Sequence, residues 1–255
     1  MRTPSGPGRP SGPFRGLAAF TACELRVQLH EELAVATSML TQAVLLTFVG
    51  LLAPSLFGVA LVGAILFSAF TLGQRVLNES AYIRIDHKLN ELFLASPLSP
   101  EAYFLGTALG ILGAYLAPIL VLGGLAVLLL HPSVLAGLVL IGATGLLWLF
   151  ASSLGYILST LFRDQRAIWS WSGLLYSLFG VLPPVFYPLA DFPAALRPLA
   201  LVLPPSGAAA LVETTLHPGT LAPLEILLAA GTLAGGSLGL LGLGILWARR
   251  SVRER

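Results

Sequence analysis

From Tyr103 to Leu130, and again from Val134 to Phe162, the chain carries no Asp, Glu, Lys, Arg or His. Each stretch exceeds the roughly 20 apolar residues with which an α-helix crosses about 30 Å of hydrocarbon. The rest of the sequence points the same way. Of 255 residues, 56% are hydrophobic and 10% charged, whereas a soluble domain is about 25% charged. Folding in water would leave too few polar groups to cover the surface, so lipid is the solvent this chain requires.

Six spans account for the apolar segments. The first is short, about Leu40 to Leu52, ends at Ala53-Pro54-Ser55, and begins inside the helix that precedes it. The second covers Leu56 to Leu77, and a polar segment from Asn78 to Glu101 follows. The third runs from Tyr103 to Leu130 and stops at His131-Pro132. The fourth, Val134 to Phe162, ends at Arg163-Asp164-Gln165-Arg166. The fifth is Ile168 to Val185, then comes a Pro-rich stretch, Pro183 to Pro205. The last is Leu221 to Trp247. Residues 1–16, rich in Pro, Gly, Ser and Arg, read as a disordered basic tail. Residues 17–250 form the membrane domain and 251–255 a short tail. Between tail and first span, Leu25, Leu29, Leu33, Ala36 and Leu40 recur at helical spacing opposite Glu24, Gln28, Glu31 and Glu32. That pattern makes an amphipathic helix, either lying in the membrane interface or packed on the chain. The expected architecture is therefore an all-α integral membrane protein: an amphipathic interfacial helix, six transmembrane helices and an irregular Pro-rich stretch before the last.

Charge distribution tests this map, because cytoplasmic loops hold the excess Lys and Arg. With the N-terminus inside, Arg2, Arg9, Arg15, Arg26, Arg75, Arg84, Lys88, Arg163, Arg166, Arg249, Arg250, Arg253 and Arg255 fall inside, and Arg197 alone falls outside. Dropping one helix would scramble that parity. Both termini are expected in the cytoplasm, and topology accounts for the net charge of +2 better than a nucleic-acid partner does. Trp169, Trp171 and Trp247 fall at cytoplasmic span ends, as interfacial aromatics should. Gly106 with Gly110, and Gly231, Gly235 and Gly239, are spaced to let helices approach closely; packing within one chain is their expected use.

The absences narrow the chemistry. The one lysine, Lys88, follows His87, so there is no GxxxxGK[ST] phosphate loop, and His30-Glu31-Glu32-Leu33-Ala34 fails as HExxH. A single cysteine, Cys23, excludes an intrachain disulfide framework. No metal site, nucleophile elbow or cofactor is expected, and no enzymatic activity. Charged residues in mid-membrane usually mark ion or proton paths, and none falls near the middle of a span here. Proton coupling is disfavoured, and work must come from outside the membrane domain, or there is none. The segment from Arg84 to Pro100, with Asp86, His87, Lys88, Glu91 and Pro97, carries charges and then a short amphipathic helix with Leu89, Leu92 and Phe93. It reads either as a solvated loop or as a rigid piece that passes a push to the spans on both sides.

Two segments carry a family resemblance. Glu91-Leu92-Phe93-Leu94-Ala95-Ser96-Pro97-Leu98-Ser99 resembles the "L-E-x-L-x-x-S-P-L-S" cytoplasmic segment of ABC-2 type permeases. Phe186-Tyr187-Pro188-Leu189, with Pro193, Leu196 and Pro204-Pro205, resembles that family's "F-x-P-L-x-x-L-P-x-x-L-R…N-P" stretch before the last span. Arg163-Asp164 resembles its "F-R-D" turn. The sequence departs at Lys88-Leu89, where Gly-Thr is frequent, and at Pro205, which follows Pro204 where Asn-Pro is usual.

The resemblance implies a plasma-membrane exporter. Two permease subunits, identical or not, would pair in lipid above two separate ABC-type ATP-binding subunits. Arg84, Asp86, His87, Lys88, Glu91 and Pro97, together with Arg163 and Asp164, would couple to the ATPase. Phe186, Pro188, Pro193, Pro204 and Pro205 would belong to an outer re-entrant pair of helices that helps close the exit. The alternatives are a haem-exporter-type permease, an ATP-independent channel or secondary transporter, and a membrane scaffold.

Overall fold

A computed structural model describes residues 14, 16–85, 98–162 and 164–253. Among these residues the chain is mostly helical, with no strand. The main helices are α1 (Leu17–Leu29), α2 (Glu32–Leu52), α3 (Phe57–Ile85), α4 (Pro100–Leu130), α5 (Val134–Leu161) and α6 (Gln165–Val181). A short α7 (Arg197–Leu201), α8 (Pro204–Leu216) and α9 (Pro223–Arg253) complete them. Their starts follow from local chemistry. Ser99 and Ser133 accept hydrogen bonds from the amides of Ala102 and Ala136, both at 3.2 Å, and the Asp164 carboxylate accepts from the Arg166 amide at 3.3 Å. These side chains satisfy amide groups that a helix N-terminus leaves without partners. Pro100 and Pro204 sit at helix starts, where a missing N–H costs nothing.

Among the described residues, five helices are long and apolar enough to cross a membrane: Leu33–Leu52, Pro54–Ile85, Pro100–Leu130, Val134–Leu161 and Pro223–Arg250. α7 and α8 form a further bent pair, Ala194–Leu201 and Pro204–Leu216, meeting at 108°. The expected fifth span is α6, which has only 17 residues. It stops short because Pro183 and Pro184 follow, and neither has an N–H with which to continue the helical ladder. The second expected span is longer than its apolar run, since α3 continues without a break through Asn78 and Glu79 to Ile85. Of the basic tail at 1–16, only Phe14 and Gly16 belong to the described residues.

α3 is the central helix. Sixteen of its residues from Ala60 to Ala81 are buried, with α5 on one side and α4 on another. Closest approach to α5 occurs where a Cβ on Gly73 would overlap the Ala151 carbonyl and one on Gly155 would overlap the Gly73 carbonyl. Only glycine allows these backbones to meet. Phe70, Leu66, Leu77, Leu147 and Tyr176 fill the adjoining core, and Tyr176 donates its hydroxyl to the Ala151 carbonyl at 2.8 Å.

α1 lies along α4, and the Gly106 and Gly110 pair serves that packing. Added Cβ atoms there would come within 2.6 Å of Phe20 and 2.5 Å of the Glu24 side chain. The amphipathic pattern from Leu25 to Leu40 is not one helix but falls on α1 and the start of α2, broken at His30 and Glu31. α1 turns its polar face inward: Glu24 and Gln28 are buried, while Val27 and Leu29 face outward. Of the two readings this geometry gives the packed one, with Val27 and Leu29 left exposed. Gly231, Gly235 and Gly239 behave otherwise. A Cβ on any of them would meet nothing within 4 Å, so their expected use in packing within the chain is not what the structure shows.

Candidate functional site

α2, α3 and the start of α6 stand apart from one another at one end of the bundle, the end that carries Arg75, Arg84 and Arg166. Between them opens a cleft of about 610 Å³. α2 contributes Thr37, Ser38, Thr41 and Gln42 to it, and α3 contributes Phe67, Thr71, Gln74, Arg75, Asn78, Glu79 and Tyr82. Gln28, Glu31 and Trp169 complete the lining. Along α3 the lining extends from Phe67 to Tyr82, roughly 22 Å at the helical rise per residue. A polar groove of this depth in so apolar a chain has a cost in lipid unless water or a ligand fills it.

The side chains of the cleft are arranged asymmetrically. Thr37, Thr41 and Thr71 donate their hydroxyl protons to the carbonyls of Ala34, Thr37 and Ser68, at 3.0, 2.8 and 2.9 Å. The Gln28 amide donates to the Glu24 carboxylate at 3.0 Å. The Arg75 guanidinium stacks 4.0 Å from the centre of the Tyr115 ring and donates to the Ala34 carbonyl at 3.4 Å. Glu79 lies within electrostatic reach of Glu24 and Glu31, and neither Glu79 nor Glu31 forms an ion pair among the described residues. Burial raises the Glu24 carboxyl above the usual carboxylate range; the Gln28 hydrogen bond opposes this and the Glu31 charge adds to it.

At the same end, polar contacts tie the helix termini together. Arg84 donates to the carbonyls of Ser159 and Phe162, both at 2.5 Å, capping the C-terminus of α5. A cation there suits the exposed carbonyls and the negative end of the helix dipole. Trp247 donates to Thr160 at 2.8 Å, and Arg249 pairs with Glu101 at 2.5 Å. The structure thus brings Arg84 against the end of α5 at Ser159 and Phe162, about eighty residues away in sequence. Asp86, His87, Lys88, Glu91, Pro97 and Arg163 lie outside the described residues.

At the opposite end, residues 183–205 fold into two single turns, Leu189–Asp191 and Ala194–Leu196, followed by α7. Phe186 packs edge-on against Phe67 at 5.6 Å between centroids, and the Val185 carbonyl occupies the space a Cβ on Gly63 would need. Pro188 precedes the buried Leu189, and Pro193 opens the second turn. Pro204 and Pro205 are buried at the start of α8. Arg197 holds the stretch by donating to the Phe192 carbonyl at 3.1 Å and the Ala190 carbonyl at 2.5 Å. Thr232 of α9 bonds the Leu201 carbonyl at 2.7 Å, where the bend frees it. Phe67 therefore lines the cleft and touches the 183–205 segment as well.

The cleft itself was not among the expected site residues. Thr, Ser and Gln are tolerated singly in spans, so their convergence on one face of α2 and α3 gave only a faint signal. Arg75, Asn78 and Glu79, spaced three and four apart at the end of an apolar run, were the sign that could have found it.

The family model described as ABC-2 type transporter matches residues 20–212. Among curated proteins no relative matches.

Proposed function

Since the chain belongs to the ABC-2 type transporter family, and is thereby a membrane permease of an ABC-type transporter, we propose that it forms the translocation path of an exporter driven by a separate ATP-binding subunit. The cleft between α2, α3 and α6 carries this reading. It is polar, opens at the basic end, and reaches along α3 to Phe67, the residue on which the outer segment rests. A second permease would supply its missing wall. The exposed face of α2, with Leu40, Val44, Phe48 and Leu51, offers that contact or one with lipid.

The basic end would be cytoplasmic, in the plasma membrane, with both termini on that side. ATP hydrolysis would act on residues 86–97 and on the Arg163-Asp164 turn. Arg84 supports this, because it joins the root of the first to the α5 terminus from which the second departs. Phe186, Pro188, Pro193, Pro204 and Pro205 would form the outer closure, and export is the direction the family resemblance implies.

Purification of the tagged chain from its native membrane in gentle detergent tests the reading. A P-loop ATPase at near one-to-one ratio is expected, and its absence even after crosslinking would overturn the ATP-driven mechanism. In the reconstituted complex, Glu91→Lys should leave insertion intact and reduce ATP-dependent transport by about tenfold or more while hydrolysis continues. Coupled transport at the native rate would remove Glu91 from the contact.

A further inference from the structure

The cleft is rich in hydrogen-bond acceptors, and Arg75, the cation of its lining, is already engaged. The hydroxyl protons of Thr37, Thr41 and Thr71 are directed into backbone carbonyls, so these side chains offer lone pairs to the cleft. The donors of Gln28 and Arg75 are likewise taken by Glu24, the Ala34 carbonyl and the Tyr115 ring. Glu31 and Glu79 add carboxylates with no ion pair among the described residues. An independent observation concerns Gln42: it lines the cleft from α2, is 95% buried (5% exposed), and its Oε1 has no hydrogen-bond partner. Asn78, on α3, is half-buried, and its Oδ1 is likewise buried without a hydrogen-bond partner. Buried amide oxygens left without donors are rare in folded proteins and call for an occupant. At the mouth, Tyr82 and Trp169 present exposed rings, whose faces attract cations.

We propose that this cleft receives the N–H-bearing cationic head, an ammonium or guanidinium, of an organic cation, held by Glu31 and Glu79 and by the amide oxygens of Gln42 and Asn78. Such a head supplies donors to these oxygens and adds positive charge beside Arg75 against the two carboxylates. An anionic head would meet two carboxylates and find Arg75 already engaged. A metal ion is a poorer fit, because the described residues contain no group of three or more His, Cys, Asp or Glu able to hold one. The assignment rests on reading the cleft as the entrance to the translocation path.

Radiolabelled octylamine is a suitable probe, with binding measured to the full chain in neutral-lipid nanodiscs after subtraction of empty discs. Saturable binding is expected, with N-acetyl-octylamine failing to compete. Glu79→Gln and Gln42→Leu should each weaken binding by roughly tenfold. Glu31→Gln, at an exposed position where folding is not at stake, should weaken it several-fold. Equal competition by the acetylated probe, or unchanged binding in Glu31→Gln and Glu79→Gln, would overturn the proposal. Co-purification of the ATP-binding subunit reads the other question separately. Retained ATPase with no amine binding removes the cationic ligand and leaves the exporter. Amine binding without any ATPase does the reverse.

Discussion

Glu24 occupies a position where a carboxylate has little reason to be: 4% exposed, between α1 and α4, with only the Gln28 amide to bond it. Burial raises its pKa in the folded chain, so the folded state holds a proton over a pH window in which the unfolded chain has released it. Stability from that proton is present below the ordinary carboxylate range and is lost as pH rises through the raised value. Glu24→Gln keeps an oxygen for Gln28 and removes the charge. Its thermal midpoint in detergent should therefore exceed the native one at neutral pH and converge on it in acid. Equal midpoints at both would show that the carboxyl is not strained by burial. The sequence displayed α1 as amphipathic but not which face would be covered. That depends on Gly106 and Gly110, eighty residues away, which admit the Glu24 face rather than the Leu29 face.

Among the helices, glycines divide into those that touch and those that do not. Gly73→Val would drive two methyl groups into the Ala151 backbone, which cannot yield as a side-chain end can. A loss of about 3 kcal/mol or more is expected, seen as lost folded yield in detergent. Gly235→Ala faces open space, and its stability should be unchanged or raised by up to about 1 kcal/mol. A collapse of Gly235→Ala alone would mean that α9 has a partner outside this chain. Element identity was legible because apolar runs and prolines mark it directly: Pro54, Pro100 and Pro132 stand at or beside breaks between spans. The reach of α3 was not, since Asn78, Glu79 and Arg84 look like a loop in sequence. They are helical because α5 and the cleft receive them.

At the scale of the whole molecule, orientation can be read from one atom. Cys23 is the single cysteine, is free and is exposed on α1. A membrane-impermeant maleimide should label it in inside-out vesicles and spare it in right-side-out vesicles or intact cells. Labelling from the outside would invert the whole arrangement, cleft and closure together. The family and the helical membrane fold could be read from the sequence. The cleft could not, because it arises from how three helices splay rather than from any one of them. That splay brings one more property. α6 has 17 residues, about 26 Å at the helical rise, beside α4 and α9 at 31 residues each, about 46 Å. A bilayer cannot suit both lengths. Local thinning beside α6 and tilting of the long helices are the expected accommodations, and Trp169 of α6 lines the cleft, so such thinning would fall at its edge. In the exporter proposed above, acyl-chain length would then set how far the cargo has to travel.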